Sequence, residues 1–529
     1  MPKSRVFALV LLVALPATVE AAVLEGAGLG GSVGLAPQLS APSPFGVFHD
    51  LRWVLVYHDS WWSFGWQSAL AIVARSLLNT GILALARADG LPGGWWPVLR
   101  LNLLFNLLVF VVLAPWAAIG VTASGTSLFW FVLGEVVPLV FLSLVLQRGG
   151  IVGDWWRRMP SLPEAGWAFV TFVVLTLGCV VVTTVPGWWR VVAAAVVAAV
   201  NAWLWRRLVV AASRVRRGLR FVPAAPIAIL LSAGALLGMG QFSTIGGAVA
   251  RRPPPRVDRL TSRGVAQQIV FVAGYDSVAS TPAASPVYRF SYRGTAPDGK
   301  PLPYDKNATH QSLMDSASRL GRQVDAVHQR TGRSVALVAQ SEGTLVVHAY
   351  LTRFAHPAVD AAVLLSPLVQ PGRVYFPPPD RSGFGVATGW LLRGMFATIR
   401  ATSGSTVRPD EPFVRSMLDK APCYRGQMLE PVPGVREIAF LPFAGAAVVS
   451  PDFRGGIPVV KLPAVHAALL GDDDVQQRIV AFLQGRPAGK QPGLDYGLIE
   501  RAGAAWQVPP LAPELNPVWT AARASCLEQ

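Results

Sequence analysis

The sequence predicts a bundle of membrane-spanning helices followed by an α/β domain built on a mostly parallel sheet. Of the 529 residues, 52% are hydrophobic and only 14% are charged, whereas about 25% of an average soluble domain is charged. Residues 1–250 hold 15 of the 18 tryptophans and only 8 of the 30 acidic residues. This composition excludes a disordered chain and indicates a membrane half followed by a soluble half.

Seven hydrophobic segments approach the length of about 20 apolar residues that a bilayer-spanning helix needs. They lie at residues 6–22, 66–87, 101–120, 126–147, 166–185, 190–212 and 222–246. The first follows two basic residues and ends near small residues, so residues 1–22 are either a signal peptide or a first transmembrane helix. We expect residues 23–65 to be an extracytoplasmic loop and residues 66–250 to be the multi-span region.

Arginines in the short loops set the expected orientation, because basic residues in such loops tend to remain cytoplasmic. An N-terminus inside the cell leaves only Arg52 and Arg190 in the outer loops. The inner loops then contain Arg87, Arg100, Arg148, Arg157, Arg158 and six arginines between residues 206 and 220. The prediction is a multi-pass cell-membrane protein whose chain after residue 250 is extracytoplasmic. The net charge of +16 is thereby explained by topology, and we expect no nucleic-acid partner.

Two charged residues fall within predicted spans, where polar groups are often functional. Arg75 and Glu135 could neutralise each other as a buried pair. Such a pair would either hold the bundle together or serve transport, which leaves a transporter with an accessory domain as one alternative.

The pattern changes after a Pro- and Arg-rich linker at residues 251–262. Short apolar runs alternate with amphipathic ones, which is typical of a doubly wound parallel sheet with crossover helices. We predict this domain over residues 263–487, followed by a C-terminal tail at 488–529. Its strands are expected at residues 268–273, 287–291, 334–339, 361–366, 436–440 and 456–460, and its helices at 309–330, 343–354 and 474–484.

The most informative motif surrounds Ser341. A buried strand ends, Ser341 occupies the turn, and a helix begins at once, with Ala339 and Gly343 as the small flanking residues. This arrangement is typical of a nucleophile elbow, Gly-x-Ser-x-Gly, with Ala in the first Gly position. The helix start also places the Glu342 N–H where it could donate to an oxyanion.

On this motif, residues 265–485 resemble the α/β-hydrolase superfamily of serine esterases and lipases. The family places a second oxyanion donor after an earlier strand, which matches Val272–Asp276 here and implies the Tyr275 N–H. The family also places its catalytic His after the acid, beyond the last strand. Of the seven histidines, only His466 has that position, and the resemblance makes it the general base.

The third member of the triad departs from the family pattern. The family's Asp position corresponds to Ala446 or Ala447 in this chain. Asp452, a few residues later, is the first candidate for the acid, and Asp380 is the second. A Ser–His dyad without an acid is the third possibility, since the acid only orients and stabilises the imidazole.

An insertion at residues 367–434 interrupts the hydrolase-like domain. The resemblance implies either a lid over the nucleophile or a packed cap. Within it, Trp390, Met395 and Phe396 are candidates for an apolar substrate-binding pocket. Cys423 and Cys526 would both face an oxidising compartment, so a disulfide between them is compatible with the sequence but not deducible from it.

The sequence thus favours a membrane-embedded serine hydrolase that cleaves a carboxylic ester or thioester, including lipidic ones, through an acyl-enzyme on Ser341. The expected partners are the bilayer and an ester or acyl-lipid substrate. No cofactor and no metal site are predicted, because the chain lacks metal-ligand spacing, a phosphate loop and a dinucleotide fingerprint. An acyltransferase acting on envelope lipids or glycans is one alternative. A catalytically inactive scaffold with the hydrolase fold is another.

Overall fold

The computed structural model describes residues 2–87, 90–123, 131–214, 222–235, 260, 264–280, 287–403, 407–442, 456–464, 466, 469–489 and 497–527. The predicted linker lies almost entirely outside the described residues. Within them, the chain forms an N-terminal helical half and a C-terminal α/β half.

Within the described residues of the N-terminal half, five helices are long and apolar enough to cross a membrane. They are α1 (Lys3–Gly26), α3 (Trp61–Ala86), α4 (Trp95–Ala123), α6 (Leu162–Thr184) and α7 (Trp189–Ser213). The predicted fourth and seventh segments coincide with two shorter apolar helices, α5 (Val137–Leu146) and α8 (Ala224–Ala235). Many large apolar side chains on the outside of the long helices are exposed, as expected of surfaces that contact lipid.

The segment expected as a loop at residues 23–65 is largely helical and buried. A 3-10 helix at Gly30–Ser40 leads into α2 (Phe45–Tyr57), and both pack inside the bundle. Apolar residues of α2 such as Phe48 and Leu51 are almost fully covered. This segment is therefore part of the folded membrane half.

The expected pairing of Arg75 with Glu135 is wrong. The Arg75 guanidinium instead binds Asp50 on α2 in a bidentate contact, with Nε–Oδ2 and Nη2–Oδ1 distances of 2.9 and 2.6 Å. Glu135 lies in a π-helical turn, Val132–Val136, and packs against Gly120, where there is no room for a side chain. The sequence analysis did not predict the contact between Arg75 and Asp50, because it placed Asp50 in an extracytoplasmic loop.

Polar contacts join the interhelical loops at each end of the bundle. At one end Arg190 pairs with Glu25 at 3.3 Å, close to the buried 3-10 helix. At the other end Arg87 donates to the Ile151 carbonyl at 2.6 Å, and Arg148 lies 3.6 Å from Glu164. These contacts place the end of α1 beside the start of α7, and the end of α3 beside the loop between α5 and α6, while the sides of the bilayer stay a prediction.

The C-terminal half contains a parallel sheet of six strands. They are β1 (Gln268–Val272), β2 (Tyr288–Arg289), β3 (Val335–Gln340), β4 (Val359–Leu365), β5 (Arg436–Pro442) and β6 (Val459–Leu462). Their order is β2-β1-β3-β4-β5-β6, and every neighbouring pair is parallel. The six predicted strands are confirmed. Because the chain reverses its winding direction after β2, the carboxyl ends of β1 and β3 flank a crevice, where α/β sheets place their ligands.

Helices cover both faces of this sheet. Helices α9 (Leu313–Thr331) and α10 (Glu342–Arg353) share a core with one set of strand side chains, including Val270 and Leu337. Helix α13 (Asp473–Leu483) packs on the opposite set, including Ile269 and Ala336. Because both faces are covered, nearly every residue of β1, β3, β4 and β5 is buried, which explains why these strands are continuous apolar runs in the sequence.

The insertion supplies α11 (Val386–Ser403) and α12 (Pro412–Asp419), and the first of these docks on the membrane half. The Gly385 and Ala387 N–H groups donate to the His58 carbonyl and to His58 Nε2, both at 2.8 Å. Thr388 Oγ1 donates to the Leu55 carbonyl at 2.7 Å. These bonds anchor the start of α11 to the end of α2.

The predicted C-terminal tail is folded. It contains α14 (Gly497–Ala504) and α15 (Pro517–Leu527), and a disulfide joins Cys526 on α15 to Cys423 in the insertion. Between the two helices, Trp506 enters the membrane half, where its indole N–H donates to Thr176 at 2.8 Å. The tail therefore joins the two halves of the molecule.

Candidate active site

Ser341 stands in a strained turn between β3 and α10. Its backbone angles are φ +53° and ψ −120°, a conformation that L-residues rarely adopt and that concentrates at functional sites. A Cβ on Gly343 would lie 2.4 Å from the Val272 carbonyl oxygen. The turn can pack against β1 only because position 343 lacks a side chain, which accounts for the Ser-x-Gly pattern of the sequence.

His466 lies beside Ser341, as the sequence predicted. It follows β6, and its Nε2 is 2.9 Å from Ser341 Oγ. Ser366, directly after β4, donates its hydroxyl to the His466 carbonyl at 2.7 Å. Ser366 is itself buried and has a φ of +51°. The sequence analysis did not assign Ser366 to the site. Its position directly after β4, at the same edge of the sheet as Ser341, could have indicated it.

The other imidazole nitrogen, His466 Nδ1, is buried and has no hydrogen-bond partner among the described residues. Asp452 and the Ala446–Ala447 loop lie outside the described residues, so no contact of theirs is described. Asp380 is exposed in a turn of the insertion. Because burial disfavours the charged imidazolium, the pKa of His466 is lowered to about 4.

The loop after β1 lies directly against Ser341. A Cβ on Gly274 would be 3.0 Å from Ser341 Cβ and 3.6 Å from its Oγ. The two predicted oxyanion donors are the N–H groups of Tyr275 in this loop and of Glu342 at the start of α10. Both belong to the segments that adjoin the Ser341 side chain, and the Glu342 N–H opens the helix, where backbone donors are free of intrahelical partners.

The Glu342 side chain is buried, and neither of its carboxyl oxygens has a hydrogen-bond partner within the described part of the chain. Burial, together with the nearby carboxylates of Glu411 and Asp276, holds the pKa of Glu342 well above its usual range. These effects favour the uncharged form of the side chain. A neutral carboxyl next to Ser341 does not oppose the negative charge of an oxyanion.

A polar cluster that the sequence did not reveal surrounds the loop after β1. His310 Nε2 lies 2.8 Å from Asp276 Oδ1, and His310 Nδ1 lies 3.1 Å from Glu411 Oε2. The Tyr275 hydroxyl donates to Glu411, and the Tyr275 ring stacks on His310 with 4.7 Å between centroids. The cluster fixes Tyr275, but its members come from three distant segments and share no sequence motif.

The three insertion residues predicted to bind substrate lie on α11. Trp390 and Met395 line an apolar cavity of about 670 Å³ between α11 and helices α3 and α4. Phe396 packs against the apolar cluster of the same region. Ser341 is not among the residues that line this cavity, so their part in substrate binding stays a prediction.

Comparison of the chain with family models, curated proteins and solved structures found no match. The chemistry of the site is therefore argued from its own geometry.

Replacing Gly343 by Ala should destabilise the protein by about 1–3 kcal/mol, since the added methyl group meets backbone oxygens that cannot move aside cheaply. Thermal unfolding of the detergent-solubilised chain measures this loss. Gly394→Ala is the matched control, because a Cβ at position 394 on α11 meets nothing within 4 Å. Equal unfolding temperatures for the two variants would contradict the tight packing at the turn.

Proposed function

We propose that the protein is a membrane-embedded serine hydrolase that cleaves a carboxylic ester or thioester through an acyl-enzyme on Ser341. The observation that carries this proposal is the 2.9 Å contact between Ser341 Oγ and His466 Nε2 at a strained strand-to-helix turn. A nucleophile held against a general base at a helix N-terminus is the arrangement that acyl transfer requires. The parallel order of the six strands supports the α/β-hydrolase type.

The proposed reaction follows from the positions of these groups. His466 Nε2 accepts the Ser341 proton as Oγ attacks the carbonyl carbon of the substrate. The oxyanion accepts hydrogen bonds from the Glu342 and Tyr275 N–H groups, and the imidazolium then gives its proton to the leaving alcohol or thiol. A water molecule that gives a proton to the same imidazole then attacks the acyl-enzyme. This step releases the carboxylic acid product and regenerates Ser341. Transfer to an alcohol in place of water would make the same site an acyltransferase.

The membrane half supports a lipidic substrate. The cavity between α11 and helices α3 and α4 is lined almost entirely by apolar side chains, among them Trp61, Phe110 and Met395, as an acyl chain would require. We further propose that α5 and α8 mark the remaining two of seven spans, and that the hydrolase-like domain is extracytoplasmic, as the arginine distribution indicates.

Ser341→Ala and His466→Ala should each lower the hydrolysis of a p-nitrophenyl ester by about 10³-fold or more, with the double variant little worse, because the pair acts as a unit. A fluorophosphonate probe should label the native protein and not Ser341→Ala. Ser318→Ala on α9 and His328→Ala are matched controls outside the site. Full activity of Ser341→Ala would overturn the role proposed for Ser341, whereas native protein that is inactive and unlabelled would favour a scaffold role.

We propose Asp452 as the acid that orients His466 Nδ1. Asp452→Asn should then slow hydrolysis by roughly 10²-fold or more through the wrong tautomer. It should also move the acid limb of kcat/KM down towards pH 4, because burial alone then governs the pKa of His466, which it lowers to about 4. The control Asp380→Asn should change neither quantity. If both variants are silent and the native acid limb already lies near pH 4, the site is a dyad.

A further inference from the structure

A second cavity, of about 660 Å³, lies in the membrane half and is not part of the proposed hydrolase site. It is bounded by α1, α2 and α3. Its lining combines apolar side chains and two indoles with four charged or titratable groups: Glu20, His49, Asp50 and Arg75. Ionisable groups inside a membrane bundle are costly to keep and are usually functional.

Arg75 has no N–H group left for a ligand, and its guanidinium already balances the charge of Asp50. Besides Asp50, the guanidinium donates to the carbonyls of Leu39, Ala41 and Gly46 at 2.5, 3.3 and 3.0 Å. The Asp50 Oδ1 atom also lies 3.1 Å from His49 Nδ1. These bonds fasten the buried segment before α2 to α3. Since Oδ1 can only accept, His49 Nδ1 carries a proton.

On its other side, His49 shares one proton with Glu20. Its Nε2 lies 3.0 Å from Glu20 Oε1 on α1 and 3.3 Å from the indole nitrogen of Trp53. A 3.0 Å contact between these atoms needs a proton on either the imidazole or the carboxyl group. When the proton is on Glu20, the carboxyl O–H donates to Nε2, and when it is on Nε2, that N–H donates to Glu20 Oε1. The two positions of the proton are therefore both hydrogen-bonded.

We propose that this cavity binds the cationic head of a lipophilic amine or quaternary ammonium compound, in exchange for the proton shared by Glu20 and His49. Because Arg75 already balances the charge of Asp50, Glu20 is the carboxyl group left in this cavity to pair with a ligand cation. Its side chain is 18% exposed, against 3% for His49.

The walls of the cavity match this class of ligand. Trp53 and Trp66 both line it, and indole faces attract ammonium groups. Val23 on α1 and Leu70 on α3 also line it, and both are more than half exposed on the outer surface of the bundle. An alkyl chain could therefore leave the cavity towards lipid while its head stays beside Glu20.

The exchange conserves charge. Before binding, the proton lies between Glu20 and His49, and their sum is neutral. When the ammonium group pairs with the Glu20 carboxylate, that proton leaves to water, and neutral His49 keeps its Nδ1 proton towards Asp50 while Nε2 accepts from Trp53. One proton is released for each cation bound.

Dodecyltrimethylammonium is a suitable probe, because its head carries a fixed charge and no proton of its own. The full-length protein in dodecyl maltoside micelles is titrated with the probe by calorimetry at pH 7 in two buffers of different ionisation enthalpy. We expect saturable binding with about one proton released per probe. Glu20→Gln should weaken binding by about tenfold or more, as removal of one desolvated charge partner does, and should abolish proton release.

Control variants separate the effects of Glu20 and Trp66 from general effects of substitution. Glu25→Gln, on the same helix but paired with Arg190, should bind like the native protein. Trp66→Leu should weaken binding several-fold, whereas Trp62→Leu, one turn earlier on α3 and outside the lining, should not. Ser341→Ala should bind normally, which separates this site from the proposed hydrolase.

The proposal fails if dodecanol, with the same chain and no charge, binds with equal affinity, or if probe binding releases no proton. It also fails if Glu20→Gln binds like Glu25→Gln, or if the intact mass of the purified protein shows that cleavage of residues 1–21 has removed Glu20.

Discussion

The buried guanidinium of Arg52 holds the two halves of the molecule together. From α2 it donates to the backbone carbonyls of Trp506 and Gln507 at 2.5 and 3.0 Å, and to the side chain of Gln38. Separation of the halves would leave these buried groups without partners, which costs far more than an exposed pair would. The contact thus fixes the C-terminal chain, the disulfide-linked insertion and, through them, the sheet against one end of the bundle.

Within the sheet domain, backbone strain is concentrated where the reactive groups meet. Ser341 and Ser366, which follow the adjacent strands β3 and β4, both have positive φ. The parallel ladder between these strands supports them, and the Ser341 N–H donates to the Leu365 carbonyl at 2.9 Å. Ser341 is the proposed nucleophile, and Ser366 holds the backbone of His466 by a hydrogen bond to its carbonyl. Strain of this kind persists only when the surrounding packing over-determines it.

The sequence was sufficient for features that local pattern controls. The six strands are buried apolar runs, and Ser341 and His466 follow from an elbow motif and chain order. The sequence was insufficient where tertiary packing determines which residues a side chain contacts. Asp50 binds Arg75 because a segment of ordinary loop composition folds into the bundle, and α2, with 13 residues, is too short to read as a span. His310 and Glu411 lie far apart in the chain and come into contact only in the folded domain. Their spacing in the sequence therefore does not predict the contact.

Helices α2 and α3 connect the region under α11 to the second cavity. Trp61 and Phe64 of α3 line the cavity under α11, while Trp66 and Leu70 of the same helix line the cavity that contains Glu20. At the end of α2, His58 bonds the Val54 carbonyl through Nδ1 at 2.6 Å and accepts the Ala387 N–H through Nε2. A second proton would break the bond to Ala387, but burial lowers the pKa of His58 to about 4. At neutral pH the insertion is therefore anchored to the same helix that carries His49 and Asp50, and movement of α2 relative to α11 would break these hydrogen bonds.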